Sequence, residues 1–165
     1  MLTFRLATRA DASDVQNVRA AAADDLTTKH GAGHWSMVST PITIRNQIDD
    51  NRVYIAKQDQ IVGTYTLDTQ KIAFYRKDWF AYPNDPSLYL SNMAVVPKFQ
   101  HMGKGRAIMM EIERLAKKMD CLAIRLDAYD SPAGAGRFYE KCGYEHVHHG
   151  ILGYTAYTYF EKVLR

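Results

Sequence analysis

The sequence is constrained most by an uncharged apolar run that leads into a glycine-rich loop and an amphipathic helix. Residues 88–96 read Leu-Tyr-Leu-Ser-Asn-Met-Ala-Val-Val, which is typical of a strand inside a sheet, and Pro97 ends the run. Beyond the loop, four apolar residues share one face of a helix: Ile108, Ile112, Leu115 and Met119. A buried strand followed at once by such a helix predicts a mixed α/β fold.

The other segments alternate between strand and helix patterns. Strands are predicted over residues 2–7, 53–56, 61–67 and 121–127, with two more between 144 and 165. Further helices are predicted after the N-cap formers at 11–14, from 41 to about 50, and from 132 to 141. The predicted order is β-α-α-β-β-β-α-β-α-β-β. Because no linker or repeat interrupts it, we expect one domain over residues 1–165.

Composition and charge exclude several classes of protein. With 47% hydrophobic and 24% charged residues, the chain is typical of a globular protein. It has no run of about 18 uncharged apolar residues and no leader pattern at its start, so we expect a cytoplasmic protein that does not enter the membrane. The 21 Lys and Arg against 18 Asp and Glu give a charge of +3, spread along the chain. Nucleic acid is therefore not an expected partner.

The loop after Pro97 has the residue types of an anion-binding site. Residues 100–107 read Gln-His-Met-Gly-Lys-Gly-Arg-Ala and stand between the buried strand and the start of the helix. Glycines let backbone N–H groups turn toward a ligand and the helix dipole adds positive charge, so a diphosphate is the natural ligand. Two nucleotide-binding motifs are excluded, because a Walker loop needs Gly at Lys98 and the dinucleotide fingerprint needs Gly at Ile108.

Two short motifs stand in a specific order along the chain. The first is Gln-x-x-Gly-x-Gly at residues 100–105, and the second is Ala-Gly-Arg-Phe-Tyr-Glu-Lys-Cys-Gly-Tyr at residues 135–144. Together, spaced by one helix and one strand, they resemble the GNAT superfamily of acyl-coenzyme A N-acyltransferases. The resemblance covers essentially the whole chain. It implies a GNAT-type α/β fold, with a central mixed, mostly antiparallel sheet of six to seven strands flanked by about four helices.

The resemblance also implies acetyl-CoA as cosubstrate. The coenzyme is expected in a V-shaped opening between the strand that ends at Val96 and the strand that begins near Cys121. Backbone groups of Met93, Ala94 and Val95 would pair with the pantetheine arm. The diphosphate is expected at Gln100, His101, Met102, Gly103, Lys104, Gly105, Arg106 and Ala107. Because Pro132 stands where relatives often carry an Asn that contacts the coenzyme, Ser131 is expected to replace it as helix cap and donor.

For the chemistry, the family position of Tyr139 implies that its phenol donates a proton to the leaving thiolate. The alternative is that Tyr139 is a core aromatic whose hydroxyl finds a backbone partner. A backbone N–H near Met93 or Ala94 would stabilise the oxyanion.

The sequence leaves the general base open. Many relatives place a Glu in the strand before the coenzyme loop, but residues 89–92 contain no carboxylate. Asn92 can orient a water or bind substrate, yet it cannot accept the ammonium proton. Asp127, at the predicted end of its strand, is the nearest carboxylate. It is either the base or a cap for the following turn.

Aromatic residues in two loops are candidate contacts for the acceptor substrate. They are His34 and Trp35 in an early loop, and Trp79 and Phe80 in a long aromatic surface loop over residues 74–86. The alternative is that these side chains only pack within a lid and do not contact a substrate. Strand alternation predicts His146 and His148 on one face and His149 on the other, without metal-ligand spacing, so no metal site is expected.

These observations predict an enzyme that transfers an acetyl group from acetyl-CoA to a primary amine by direct attack in a ternary complex. The amine would belong to a small molecule or a peptide N-terminus. The alternative is a catalytically silent acyl-CoA-binding sensor or interaction domain, which the missing strand carboxylate favours. The closing strands, with Tyr154, Tyr157 and Tyr159, either form the edge of a homodimer or finish the sheet.

Overall fold

Seven strands and four helices follow one another in the predicted order in a computed structural model that describes residues 1–165. The strands are β1 (Thr3–Leu6), β2 (Val53–Lys57), β3 (Ile61–Asp68), β4 (Ser87–Val95), β5 (Ala123–Tyr129), β6 (Glu145–Leu152) and β7 (Thr155–Val163). The helices are α1 (Ala12–His30), α2 (Pro41–Asp49), α3 (Lys104–Lys118) and α4 (Gly136–Lys141).

The strands form one seven-stranded sheet in the order β1-β2-β3-β4-β5-β7-β6. β4 and β5 run parallel, whereas β1–β2, β2–β3, β5–β7 and β6–β7 are antiparallel pairs. The predicted α/β class, with a mixed and mostly antiparallel sheet flanked by four helices, is confirmed.

Contacts divide the chain into two compact units. The first comprises Met1–Leu67 and Asn92–Ile108, and the second comprises Asp68–Ser91 and Met109–Arg165. Strand β4 and helix α3 each contribute residues to both units. A single acetyltransferase domain over residues 1–165 stays a prediction. No helix combines the length and the apolar character needed to cross a membrane.

The first unit has a small aliphatic core between its helices and strands. Its buried members come from α1, α2 and β2 and from the residue after β1: Ala7, Val15, Ile44, Ile48, Val53 and Ile55. Helix α2 begins as predicted, with Pro41 in its first turn and the Thr40 hydroxyl accepting a hydrogen bond from the Thr43 N–H at 3.3 Å.

Strand β4 contains one residue with left-handed backbone, Asn92. The parallel register of β4 with β5 is formed by Ser87, Leu88 and Tyr89, and Asn92 follows with φ at 49°. This left-handed conformation is rare in a strand, and Asn is one of the few non-glycine residues that adopt it readily. The backbone of β4 is therefore irregular at this residue.

The second unit contains residues 74–86, which the sequence predicts to be a long aromatic surface loop. That expectation is wrong for Tyr75 and Phe80, which are buried in an aromatic cluster with Tyr89, Tyr157 and Tyr159. Tyr75 lies at its centre, with the rings of Phe80, Tyr89 and Tyr159 all within 6.1 Å between centroids. The segment has no helix or strand period because its aromatic side chains pack inward from irregular backbone.

A buried ion pair fastens this segment to the sheet. Arg125 in β5 and Glu161 in β7 are 1% and 3% exposed, and the Arg125 Nε lies 3.0 Å from the Glu161 Oε1. Arg125 also donates to the Tyr82 carbonyl at 2.7 Å, and its guanidinium lies 4.1 Å from the centre of the Phe80 ring. Glu161 accepts a hydrogen bond from the Ala81 N–H at 3.1 Å. Both charges therefore hold residues 80–82 as well as each other.

The histidines of β6 are arranged differently from the prediction. The register with β7 shifts between His146 and His148, so that Val147 is an extra residue in the strand. As a result His146 lies against His149, with ring centroids 4.0 Å apart, and His148 stacks on Trp79 at 4.1 Å. The predicted pairing of His146 with His148 on one face is wrong, because strict alternation does not survive a bulge.

Helix α4 begins later than predicted. The predicted start at 132 is wrong because residues 131–134 form a turn, closed by the Gly134 N–H donating to the Ser131 carbonyl at 2.9 Å. A side chain at Gly134 would place its Cβ 1.8 Å from the Tyr129 carbonyl oxygen, so only glycine fits there. Ala135 is the residue before the helix, and Ser131 is not its cap.

Replacing Arg125 tests the buried ion pair. Arg125→Met should lower the free energy of unfolding by about 3–5 kcal/mol, because it leaves the Glu161 carboxylate buried without its partner. Chemical denaturation measures the change. The matched control is Arg76→Met, which breaks an ion pair with Asp78 that is exposed on both sides and should leave stability unchanged. An Arg125→Met protein as stable as the wild type would contradict this role.

Candidate active site

The predicted coenzyme loop follows β4 in the first unit. The Gln100 side-chain amide turns back and donates to the Val95 carbonyl at 3.1 Å, so this side chain fixes the loop to the end of the strand. His101 and Gly103 both have positive φ, at 58° and 76°. A Cβ on Gly103 would meet nothing within 4 Å, so the glycine is required for its backbone angle and not for space.

The loop leads directly into the first turn of α3. The Ala107 N–H donates to the Gly103 carbonyl at 3.0 Å, and the N–H groups of residues 104–106 precede it. N–H groups in a first turn have no acceptor within their own helix, and the helix dipole is positive there. Lys104 is half-buried, and Arg106 and His101 are exposed beside it. This arrangement suits a small dianion such as a diphosphate.

Asp127 lies inside β5, two residues before its end, and not at the strand end as predicted. Its carboxylate accepts a hydrogen bond from the hydroxyl of the buried Tyr75. The carboxylate is therefore tied to the aromatic cluster, and the alternative in which it caps a turn is wrong.

The pKa of Asp127 is raised from its ordinary value by burial, and the hydrogen bond from Tyr75 opposes that rise. Burial raises the pKa of five surrounding phenols, and the charge of Asp127 adds to that rise: Tyr75, Tyr129, Tyr139, Tyr157 and Tyr159. One half-buried carboxylate is thus surrounded by phenols that keep their protons. A carboxylate with a raised pKa is a better proton acceptor than a solvated one.

Tyr139 lies in α4 and is buried against Phe138, Tyr144 and Phe160, with ring centroids 5.3–6.1 Å away. Burial is the main cause that raises its pKa, with the charge of Asp127 second. The phenol therefore carries its proton throughout the neutral range. Its role as proton donor stays a prediction.

The sequence profile of the acetyltransferase (GNAT) domain matches residues 49–146. The chain belongs to the GNAT acetyltransferase family. The matched residues run from the end of α2 into β6, and so include β4, the glycine loop, α3, β5 and α4.

Solved structures have the same fold as this GNAT protein at low identity. A GNAT-family acetyltransferase from Streptococcus agalactiae is 14% identical, with a TM-score of 0.84 over 98% of this chain and 95% of that one. An acetyltransferase from Salmonella typhimurium, solved with its cofactor acetyl-CoA, is 14% identical, with a TM-score of 0.69 over 99% and 94%. An enzyme from Escherichia coli that N-acetylates an alanine of a ribosomal protein is 15% identical, with a TM-score of 0.73 over 99% and 94%. A search of curated proteins finds no match.

Among the residues predicted to contact the coenzyme, Ser131 has a buried side-chain oxygen without a hydrogen-bond partner. The Ser131 hydroxyl oxygen is buried and makes no hydrogen bond. Buried hydroxyls are normally satisfied, so an unpaired one suits a place where a ligand supplies the partner. The side chain is therefore compatible with the predicted role of coenzyme donor, although it caps no helix.

The residues predicted to contact the acceptor differ in their surroundings. His34 is exposed and Trp35 is half-buried, in a short helical turn after α1, where the Trp35 Nε1 donates to the Gly31 carbonyl at 3.0 Å. Trp79 is half-buried between His148 and Tyr159. Phe80 is 4% exposed beneath Arg125. Its side chain is part of the protein core, and its contact with an acceptor stays a prediction.

Sequence reasoning missed Tyr75, the hydrogen-bond partner of Asp127. The two residues are 52 positions apart, in a segment without period and in a strand. The aromatic density of residues 74–82 was the only signal, and it does not distinguish Tyr75 from its neighbours.

Removing the Tyr75 hydroxyl should raise the pKa of Asp127 further. The hydrogen bond favours the charged carboxylate, so its loss in Tyr75→Phe leaves the burial effect unopposed. Carboxyl NMR titration measures the pKa. The control is Tyr159→Phe, which removes a neighbouring phenol that makes no hydrogen bond to this carboxylate. An Asp127 pKa that stays constant or falls in Tyr75→Phe would refute the contact.

Proposed function

We propose that this GNAT protein is an acetyl-CoA-dependent N-acetyltransferase, which transfers an acetyl group to the primary amine of a small molecule or peptide N-terminus by direct attack in a ternary complex. The observation that carries the proposal is the Asp127 carboxylate, held by Tyr75 among phenols, with its pKa raised by burial. N-acetylation by the structurally similar Escherichia coli enzyme, and the acetyl-CoA of the Salmonella protein, support the same reaction.

The coenzyme would be held by backbone groups. The first-turn N–H groups of α3 and the 100–103 loop would bind the diphosphate, with Lys104 and Arg106 adding positive charge. Met93, Ala94 and Val95, which are half-buried at the end of β4, would offer their N–H and carbonyl groups to the pantetheine amides. Ser131 would donate its unpaired hydroxyl.

Asp127 is the proposed general base. The ammonium form of the acceptor must lose a proton before its nitrogen can attack, and the carboxylate accepts that proton. Asn92, which is exposed and has a positive φ, would bind or orient the acceptor because its amide cannot take a proton.

Tyr139 is the proposed general acid. As the nitrogen forms its bond to the acetyl carbon, a backbone N–H near Met93 or Ala94 stabilises the oxyanion. When the carbon–sulfur bond breaks, the Tyr139 phenol donates its proton to the departing thiolate. As the amide forms, the nitrogen loses a second proton, which restores the Tyr139 phenol, and Asp127 releases the first proton to solvent. The products are an amide, free coenzyme A and one proton.

A thiol-release assay tests the proposed function. Purified protein and acetyl-CoA are combined with amines, polyamines, amino acids and peptide N-termini, and free thiol is measured against hydrolysis without acceptor. Release that depends on an acceptor, with the acetylated amine identified by mass spectrometry, is the expected result. Acetyl-CoA binding without release for any acceptor would instead favour the silent sensor domain.

Tyr139→Phe should lower kcat by roughly 100-fold or more, because a positioned acid contributes about that much to proton transfer. The dissociation constant for acetyl-CoA, measured by calorimetry, should stay near the wild-type value. Tyr144→Phe is the control, since it removes a nearby buried hydroxyl that has no partner. A kcat unchanged by Tyr139→Phe would remove this residue from the mechanism.

Asp127→Asn should remove the acidic limb of the pH dependence of kcat/KM. In the wild type the rate falls as pH drops and the carboxylate is protonated, at a higher pH than for an ordinary Asp because its pKa is raised. Asn cannot accept a proton, so the variant should be slow and lack this limb. The control is Asp130→Asn, at an exposed carboxylate three residues further on. An unshifted wild-type profile in Asp127→Asn would exclude the base role.

A further inference from the structure

Arg19 in α1 is a buried cation that has no acidic partner. Its side chain is 6% exposed, close to the burial of Arg125 in the other unit. Arg125, however, is matched by Glu161, whereas Arg19 contacts only neutral oxygens. These are the Thr66 hydroxyl at 2.9 Å, the Gln47 side-chain carbonyl at 3.3 Å and the Ser39 hydroxyl at 3.5 Å.

The guanidinium of Arg19 also has unused donor capacity. It carries five N–H groups and no acceptor, and its Nε is buried without any hydrogen bond. Two of its three hydrogen bonds, those at 3.3 and 3.5 Å, are long. Burial lowers the pKa of Arg19 to about 10, and no negative charge acts against that effect. The group is therefore a full cation at neutral pH.

A buried charge with no counter-charge is costly for a fold, and proteins normally pair it. A long apolar side chain at position 19 would fill the same space without that cost. The presence of a charged residue at position 19 is explained if an anion from outside the chain binds to it. Because the guanidinium is planar and presents paired donors, it matches the two oxygens of a carboxylate.

The neighbours of Arg19 connect it to the segment that carries two predicted acceptor contacts. Ser39 lies near the end of the connection between α1 and α2, which also contains His34 and Trp35. That connection is tied to α1 by a hydrogen bond of 2.6 Å between the Thr27 and Ser36 hydroxyls. Gln47 and Thr66 extend the polar surroundings of Arg19 from α2 and β3. All of these residues belong to the first unit.

We propose that Arg19 binds a carboxylate of the acceptor, so that the substrate class is molecules carrying both a primary amine and a carboxylate, such as amino acids. The proposal rests on the proposed N-acetyltransferase function and narrows its acceptor. Thr66, Gln47 and Ser39 hold the guanidinium in place and share its hydrogen bonds with the carboxylate.

Matched acceptor pairs test the proposal by activity. Each pair is an amino acid and the amine that results from removing its carboxyl group, for example phenylalanine with phenethylamine and alanine with ethylamine. The wild type should have a KM for the amino acid at least roughly tenfold lower than for the amine, since hydrogen bonds to a charged group contribute that much. Arg19→Gln should raise the KM of the amino acid to that of the amine and change kcat little. Arg45→Gln, at an exposed position of α2, is the control and should behave as the wild type.

Thermal unfolding tests the same site without activity. Amino acids should raise the unfolding temperature of the wild type and of Arg45→Gln, but not of Arg19→Gln, while the matched amines should have no effect. Arg19→Met should unfold at the wild-type temperature or above, because it removes an unpaired buried charge. A large drop would assign Arg19 to the scaffold and overturn the proposal.

The remaining outcomes separate this proposal from the proposed function. If no acceptor yields thiol but amino acids stabilise the wild type and not Arg19→Gln, the carboxylate site stands and N-acetyl transfer fails. Equal KM values within pairs, or stabilisation by inorganic phosphate and not by carboxylates, overturn the Arg19 proposal and leave N-acetyl transfer intact.

Discussion

The buried ion pair between Arg125 and Glu161 is the interaction on which the second unit depends. It joins β5 to β7 and at the same time holds residues 80–82, so that an irregular segment is fixed to a regular sheet. That segment carries Tyr75, whose hydroxyl reaches Asp127 in β5. The candidate base is therefore positioned by a side chain from a loop, and the loop is positioned by a charge pair that water cannot reach. Such a pair contributes little net stability but fixes one arrangement strongly, because either charge alone would be costly.

The two buried arginines, Arg125 and Arg19, differ in whether their hydrogen-bond donors are used within the protein. Arg125 has a carboxylate, a backbone carbonyl, a phenol and an aromatic ring around it, so its donors are used within the protein. Arg19 has only neutral oxygens and an unpaired Nε. The satisfied Arg125 holds the fold together, and the unsatisfied donors of Arg19 are the basis on which we propose a ligand. The same reasoning applies to Ser131, whose buried hydroxyl lacks a partner.

Periodic segments and motifs predicted most of the fold and part of the candidate site. The order of all eleven elements follows from the hydrophobic pattern, and the loop at residues 100–105 follows from its glycines and its place before an amphipathic helix. What could not be predicted depends on contacts distant in sequence or on local irregularity. Tyr75 finds Asp127 through tertiary packing, the bulge at Val147 reverses the faces of the β6 histidines, and the turn at Gly134 delays α4. None of these three features leaves a periodic pattern in the sequence.

We propose that the acetyl group of acetyl-CoA is transferred to a nitrogen. The atom that carries it can be determined by treating the acetylated product with neutral hydroxylamine, which cleaves esters and thioesters but leaves amides intact, followed by mass spectrometry. The acetyl group is expected to survive this treatment, and fragmentation is expected to place it on the acceptor amine. An acetyl group that hydroxylamine removes, or one found on oxygen or sulfur, would contradict this proposal.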